Sequence, residues 1–158
     1  MTVLQELAIG ESAPPVVLDV TLATVLGAPV ATWDFFPGHH DIDYARSQGQ
    51  PDVYVSTMVL HGFVDRIAVA TTGPEWFIRR RTMQMSQSVY PGDELVGVAT
   101  LTQRFVTESG EQAVALSIVA STDRGRCVSA EAVLTHGLQG PHGAELRPLD
   151  KRKVMEDG

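Results

Sequence analysis

Apolar positions recur along this chain with two periodicities, one typical of helices and one typical of strands. The clearest element they predict is one long helix. Apolar side chains follow the three-and-four spacing of a helical face at Val55, Met58, Val59, Phe63, Ile67 and Ala70. Leu60, Val64 and Ala68 widen this stripe, so we expect a mostly buried helix. Gly62 costs about 1 kcal/mol relative to alanine in a helix, which favours close approach of another backbone there. Thr72-Gly73-Pro74 ends the predicted helix.

Alternation of apolar and polar residues predicts strands before and after this helix. Pro14-Pro15 delays regular structure, and a β-branched run follows. The predicted strands cover residues 16–25, 82–90, 94–107, 112–122 and 126–136. Between the second and third of them, Pro91-Gly92-Asp93 is a typical turn. The order of strand, buried helix and antiparallel meander predicts an α+β fold, in which one sheet wraps a single long helix and leaves a face or edge for a second subunit.

The length and the apolar content of the chain favour one domain. A chain of 158 residues with 44% apolar content can bury one substantial core, and we expect that core within residues 1–137. Residues 138–158 contain Pro141, Gly143, Pro148 and a charged run at 150–153, and are expected to form a polar tail.

Charge and cysteine content exclude several classes of function. A formal net charge of -7 argues against nucleic acid as a partner, because phosphate binding needs a basic surface. The single cysteine, Cys127, excludes an internal disulfide and argues against a thiolate metal site, so a reducing cytoplasm is expected. The sequence has neither a secretory signal pattern nor an apolar run long enough to span a membrane.

The segment before the predicted helix carries the candidate chemistry. Asp34 and His39 lie five positions apart around the bend Pro37-Gly38. A carboxylate and an imidazole held close together can orient one water and move its protons, as hydration and dehydration require. Residues of a Pro-Gly loop also commonly bond to the backbone instead, which is the alternative interpretation. His40 could share the water or lie at the surface, and Asp41 is expected to cap the next turn or helix.

Three sequence elements, in this order, resemble the MaoC-like, R-specific enoyl-CoA hydratases of the hot-dog fold. They are Asp34-x-x-Pro37-x-His39-x-Asp41, Val89-Tyr90-Pro91-Gly92-Asp93-Glu94-Leu95-Val96-Gly97-Val98, and Ser129-Ala130-Glu131-Ala132-Val133-Leu134. The resemblance covers residues 16–137. The form Asp-Phe-x-x-x-His-His-Asp, with the loop at residues 48–52, looks most like the small subunits of actinobacterial hydratases that act on steroid side-chain CoA thioesters.

The resemblance implies a site and a reaction. Asp34 and His39 would be the catalytic pair, which grips the water that adds across a trans-2-enoyl thioester. A backbone N–H near Ser56, at the start of the central helix, would receive the charge on the thioester oxygen. No metal or redox cofactor is implied, and coenzyme A enters only as part of the acyl-CoA substrate. A homodimer, or a heteromer with another hot-dog subunit, would be the working assembly.

Two departures from the family pattern concern the same loop. Phe36 stands where the family usually has Asn, which removes a polar support of the loop. We also expect the stretch before Asp34 to lack the family's usual helix, because Gly27, Pro29 and Val30 weaken helical structure. A roomier pocket, or one completed by a partner, would follow.

The basic cluster of the predicted domain is Arg79-Arg80-Arg81. Guanidinium groups bind phosphate oxygens in a bidentate manner. Strand alternation sends Arg80 to the opposite face, so Arg79 and Arg81 are the candidates to anchor the phosphates of coenzyme A. A charged edge strand that resists unwanted pairing explains the cluster equally well.

Two alternatives to a hydratase remain open. A hot-dog thioesterase would use a carboxylate on the helix, but the candidate, Asp65, lies about two turns beyond the helix start. In the second alternative the chain only completes the pocket of another subunit, and the presence of both Asp34 and His39 counts against this. The first hypothesis is therefore a 2-enoyl-CoA hydratase, with room for a bulky, steroid-like acyl group.

Overall fold

The computed structural model describes residues 2–137, and their elements follow the predicted order. The first part comprises helix α1 (Val3–Glu6), strand β1 (Val16–Asp19), helix α2 (Leu22–Thr32), a 3-10 turn (Pro37–His39) and helix α3 (Ile42–Ser47). The long helix α4 (Thr57–Thr72) comes next, and the strands β2 (Trp76–Met85), β3 (Glu94–Val106), β4 (Gln112–Thr122) and β5 (Gly125–His136) complete the fold. The predicted long helix is confirmed. The predicted antiparallel meander is confirmed for β3, β4 and β5, whereas β2 pairs with β5 and not with β3.

The five strands form one antiparallel sheet in the order β1-β3-β4-β5-β2. At one edge, β1 pairs with the start of β3, and the segment before β1 continues this pairing. There, Ala13 N–H donates to the carbonyl of Ala99 at 2.8 Å, and Leu101 N–H donates to that of Glu11 at 3.0 Å. At the other edge, β2 pairs only with β5 among the described residues. Among the described residues, each edge strand therefore pairs on one side only, β1 with β3 and β2 with β5.

Helix α4 packs on one face of this sheet and forms the centre of the core. Phe63, Val64 and Ile67 of the helix are buried in the same cluster as alternate residues of the strands, such as Leu95 and Leu116. This is the predicted α+β architecture, a sheet wrapped around one long helix.

Helix and sheet approach each other closely at Gly97 in β3. A Cβ atom at this position would lie 2.2 Å from Cδ1 of Ile67 and 3.0 Å from Phe63, both on α4. The close approach predicted at Gly62 is wrong, because a Cβ there would meet nothing within 4 Å. Gly62 lies on the exposed side of α4, whereas the helix faces the sheet with Phe63 and Ile67.

The first strand is shorter than the predicted 16–25, because the chain turns into helix α2 after Val20. Thr21 caps this helix: its hydroxyl accepts from Thr24 N–H at 3.0 Å. Thr24 returns the contact, since its hydroxyl accepts from Thr21 N–H at 3.4 Å. This capping box satisfies N–H groups that a helix start leaves unpaired, and so favours helix at the end of a β-branched run.

The expectation that no helix precedes Asp34 is wrong. Helix α2 spans 11 residues in spite of Gly27, Pro29 and Val30. Val25, Ala28 and Pro29 are buried, so packing offsets the weak intrinsic preference of the segment.

Three other boundaries differ from the predicted ones. Helix α1 precedes Pro14-Pro15, helix α3 extends into the loop expected at residues 45–51, and β2 begins at Trp76 instead of Thr82. The early start of β2 follows from its long pairing with β5, in which Trp76 lies opposite His136. The capping role of Asp41 is confirmed, because its Oδ1 accepts from Asp43 N–H and Tyr44 N–H at 3.0 Å.

The polar tail predicted at residues 138–158 lies outside the described residues, and the single domain over residues 1–137 stays a prediction. No helix within residues 2–137 is long and apolar enough to cross a membrane.

Asp93 and Arg124 join the turn before β3 to the hairpin between β4 and β5. The Asp93 carboxylate accepts from Arg124 at 2.6 Å and from Tyr90 N–H at 2.7 Å, and only 9% of this side chain is exposed. The guanidinium also stacks over the Tyr90 ring, 5.0 Å from its centroid. The bond from Arg124 holds the pKa of Asp93 below its usual range, although burial acts in the opposite direction.

We predict that Gly97→Ala destabilises the fold by about 1–3 kcal/mol, because the added methyl group would force α4 away from β3. Urea denaturation followed by circular dichroism measures this change. Gly27→Ala is the matched control, since a Cβ at this exposed helical position meets nothing within 4 Å. The control should gain about 0.5–1 kcal/mol. Equal stability of Gly97→Ala and wild type would contradict the packing described for this contact.

We predict that Asp93→Asn lowers the free energy of unfolding at pH 7 by about 1–2 kcal/mol through loss of the bond to Arg124. A carboxylate with a depressed folded-state pKa stabilises the fold above its unfolded pKa of about 3.9, and this stabilisation is lost as the pH falls through the folded-state pKa. The gap between variant and wild type should therefore narrow in acid.

Urea denaturation at pH 7 and at pH 3 tests this. Asp123→Asn serves as control, because Asp123 is 90% exposed and lies 3.9 Å from Arg124. A gap of the same size at both pH values would show that the ion pair does not cause it.

Candidate active site

The fold brings Asp34 and His39 together. Asp34 follows the last turn of α2, and His39 ends the 3-10 turn. Nε2 of His39 lies 3.5 Å from Oδ2 of Asp34; the His39 side chain is 7% exposed and the Asp34 side chain 32%. This separation exceeds a direct hydrogen bond, yet it is short enough for one water to bond to both atoms.

The other ring nitrogen of His39 determines which tautomer faces Asp34. Nδ1 lies 2.8 Å from the backbone carbonyl of Tyr54, which can only accept a hydrogen bond. Nδ1 therefore carries the proton, and the lone pair of a neutral His39 is on Nε2, towards Asp34. This places a proton acceptor where the bridging water would lie.

Aromatic rings enclose the imidazole on two sides. The Tyr54 ring stands edge-on to His39, with centroids 5.2 Å apart, and the Phe36 ring does so at 5.5 Å. Phe36 also packs edge-on against Tyr44 of α3 at 5.5 Å. At the position where the sequence suggested a lost polar support, Phe36 supports the loop by packing instead.

Ser56 is the N-cap residue of α4, as expected for the candidate oxyanion position. Among the described residues, the N–H groups of Ser56 and Thr57 have no hydrogen-bond acceptor. The Ser56 hydroxyl is buried without a partner there and does not cap the helix. Unpaired amides and the helix dipole make this end of α4 suitable for negative charge.

His39 and the start of α4 open into the same cavity, which has a volume of about 290 Å³. Its walls include Tyr54, Thr57 and Leu60 on one side and residues 85–89, at the end of β2, on the other. Burial, with smaller contributions from Tyr44 and Tyr90, raises the pKa of Tyr54, so its phenol is neutral at ordinary pH. The cavity is thus lined by the imidazole of His39 and by the N-terminal end of a helix.

Asp65, the candidate carboxylate of a thioesterase, is bound elsewhere. It forms an ion pair with Arg81, whose guanidinium also donates to the carbonyl of His61 at 3.0 Å. Neither Asp34 nor Asp65 lines the cavity that His39 enters, but Asp34 lies 3.5 Å from His39, whereas Asp65 is held by Arg81. Burial and the charge of Arg81 lower the pKa of His61 against the opposing effect of Asp65, so His61 is neutral at pH 7. The geometry does not favour hydrolysis by this carboxylate.

Arg79 and Arg81 are not brought together. Arg81 contacts α4, whereas Arg79 bonds to Thr135 at 2.8 Å and to Glu111 at 2.9 Å. Thr135 follows the core residue Leu134 and so lies on the sheet face away from α4. A bulge between Ile78 and Arg80 breaks the regular alternation, and the expectation that both arginines share a face is therefore wrong. Their role in binding coenzyme A stays a prediction.

Among the described residues, no three His, Cys, Asp or Glu side chains converge as ligands for a metal ion. That the reaction uses no metal or redox cofactor remains an expectation from the resemblance.

Comparison with known proteins identifies the fold. No protein-family model and no curated protein sequence matches the chain. Among solved structures, a chain of the ChsH1-ChsH2 complex from Mycobacterium tuberculosis is 24% identical, with a TM-score of 0.74 over 82% of this chain and 98% of that one. The (R)-hydratase from A. caviae involved in PHA biosynthesis is 22% identical, with a TM-score of 0.71 and coverage of 82% and 97%.

A MaoC-like dehydratase from Rhodospirillum rubrum is 20% identical, with a TM-score of 0.71 over 92% of this chain and 98% of that one. These likenesses show that the chain has the hot-dog fold, as predicted. Within that fold it is similar to MaoC-like dehydratases and R-hydratases.

Tyr54 is the site residue that the sequence reasoning missed. It lies 15 positions beyond His39 and yet contacts that ring through both backbone and side chain. Its place directly before the predicted helix was the available signal, and no pattern linked it to His39.

Trp33, directly before Asp34, has a strained backbone. It ends α2 in the left-handed region at φ 58 and ψ 23, and its side chain is 84% exposed. Its ring contacts Phe35 edge-on at 6.0 Å. The left-handed conformation costs a residue with a side chain about 1–2 kcal/mol, and such strain is common next to functional groups.

We predict that Trp33→Gly raises stability by about 1 kcal/mol, because glycine adopts the left-handed conformation freely and little apolar burial is lost. Thermal and urea unfolding measure the change. Trp33→Ala is the control: it removes the ring but keeps the strain, and it should not stabilise. A loss of stability in Trp33→Gly would mean that the indole supports the fold.

Proposed function

We propose that the chain catalyses the reversible addition of water to a trans-2-enoyl thioester. The observation that carries this proposal is the separation of 3.5 Å between Nε2 of His39 and Oδ2 of Asp34. With Nδ1 bound to the Tyr54 carbonyl, both facing atoms are acceptors. One water can donate a hydrogen to each, which leaves its oxygen free to attack.

In the hydration direction, the water oxygen bonds to C3 of the enoyl group while Nε2 of His39 takes one of its protons. The electrons of the C2–C3 double bond move towards the thioester oxygen. The amides near Ser56, at the positive end of α4, would stabilise that negative charge. A proton from the Asp34–His39 pair then reaches C2, which completes the 3-hydroxyacyl thioester. Dehydration is the same path reversed.

The acyl group we propose is apolar and can be bulky, as in a steroid side chain carried on coenzyme A. Trp33 and Phe35 flank Asp34 in the sequence and are 84% and 54% exposed, which leaves an apolar surface beside the catalytic pair. Such surface exposed next to a reacting group is typical of ligand contact.

We further propose that the chain works with a second hot-dog subunit, identical or different. The edge strand β2 supports this: among the described residues it pairs with β5 alone, and the outer side of an edge strand is a ready site for pairing with another chain. One similar structure is a complex of two named components, ChsH1 and ChsH2. In a heteromer, this chain would supply the Asp34–His39 pair and its partner much of the site for coenzyme A.

Loss of enoyl-thioester absorbance, measured with short-chain and bulky 2-enoyl-CoAs, tests the reaction. We predict that Asp34→Asn and His39→Ala each lower kcat by about 10²- to 10⁴-fold, because each removes one of the two groups that bind and deprotonate the water. Free thiol is measured in parallel and should not appear.

The variant Asp65→Asn distinguishes the thioesterase alternative from the hydratase proposal. Thiol release that survives Asp34→Asn and is lost in Asp65→Asn would show that the protein hydrolyses the thioester and would contradict the hydratase proposal. Hydration that survives both substitutions at the pair would contradict the proposal. Hydration that appears only when a second hot-dog subunit is added would support the heteromer.

A further inference from the structure

We infer that Tyr54 is the positioning residue that holds the imidazole of His39 in one tautomer and one orientation. The inference rests on the proposed function insofar as it makes Nε2 of His39 the base. Tyr54 would act through His39 and through the backbone of Gly38, without touching the reacting atoms.

The backbone of Tyr54 binds both parts of the turn that carries His39. Its N–H donates to the carbonyl of Gly38 at 3.2 Å, and its carbonyl accepts from Nδ1 of His39 at 2.8 Å. The next residue, Val55, donates to the carbonyl of Val89 at 2.9 Å, which anchors this segment to the chain ahead of β3. One residue thus sets both the position of the turn and the proton location on the ring.

The side chain of Tyr54 opposes rotation of the imidazole. The Tyr54 and His39 rings are edge-on, with an interplanar angle of 82°. A half-turn of the imidazole about its bond to Cβ would carry Nδ1 away from the Tyr54 carbonyl and would turn Nε2 away from Asp34. Phe36 contacts the imidazole too but is 42% exposed. The half-buried Tyr54 therefore restricts rotation of the imidazole more strongly.

Gly38 and Tyr54 fit one another closely. A Cβ atom at position 38 would lie 2.4 Å from the Tyr54 hydroxyl oxygen and 2.6 Å from Cζ. The phenol ring therefore fills the space beside the turn, and only glycine is small enough to lie under it. The same geometry places the hydroxyl over Gly38, which favours a packing role over proton transfer.

Two measurements on wild type, Tyr54→Phe and Tyr54→Leu test the inference. Nitrogen-15 NMR of the histidine ring reports the tautomer of His39, and enoyl-CoA hydration gives kcat and KM. We predict a single Nδ1–H tautomer and near wild-type kcat in Tyr54→Phe, which keeps the ring. Tyr54→Leu should show both tautomers and lose about 10- to 100-fold in kcat with little change in KM, because the base is misplaced.

Gly38→Ala disturbs the same contact by changing Gly38 and leaves Tyr54 unchanged. Its methyl group would strike the phenol, so mixed tautomers and a similar loss of kcat are expected. In the double variant with Tyr54→Leu the two losses should not add, since both act through one contact. Gly27→Ala, with nothing within 4 Å, is the control and should keep wild-type kcat and tautomer.

A single Nδ1–H tautomer in both Tyr54→Leu and Gly38→Ala would overturn the inference, and so would additive losses in the double variant. If Tyr54→Leu does not fold, the tautomer in Gly38→Ala decides. The NMR measurement does not depend on turnover. A wild-type protein that hydrates no enoyl thioester would overturn the proposed function, whereas the His39 tautomer alone decides the role of Tyr54.

Discussion

The approach of helix α4 to strand β3 over Gly97 is the contact on which the rest of the structure depends. The absence of a side chain at Gly97 lets Phe63 and Ile67 lie directly on the sheet. This fixes the depth of the helix, and with it the position of the Ser56 cap and of Tyr54 just before it. Tyr54 in turn bonds to Gly38 and to His39. The depth at which the helix packs on the sheet therefore also affects the position of His39 in the candidate active site.

The carboxylate of the candidate site differs from other carboxylates of the fold in its bonding partners. Asp65, Asp93 and Glu111 each bond directly to an arginine, which makes them structural groups. The nearest ionisable partner of Asp34 is a histidine at 3.5 Å, too far for a direct bond. A carboxylate that is close to a base without being bonded to it can accept a hydrogen from a substrate water, and this distinguishes the site from the ion pairs.

The loop that carries the pair combines strain with packing. The left-handed backbone of Trp33 turns the chain sharply out of α2, and the capped start of α3 at Asp41 ends the same loop. Between them, Phe36 and Tyr54 enclose His39 by edge contacts. A left-handed turn at one end, a polar cap at the other and aromatic packing in the middle favour one conformation of this short loop, as the proposed single-water site requires.

The sequence by itself determined the buried helix, the meander of β3 to β5, the cap at Asp41 and the pairing of Asp34 with His39, because these features depend on periodicity, turn residues and short separations along the chain. Only the tertiary structure decided the rest. Packing of Val25 and Pro29 made α2 a helix against its local preference, and a bulge in β2 sent Arg79 and Arg81 to opposite faces. Gly97, not Gly62, receives the close contact, and Tyr54 meets His39 across 15 positions. Each of these outcomes depends on contacts between residues that are far apart in the sequence and close in space. Local sequence patterns do not show which residues form such contacts.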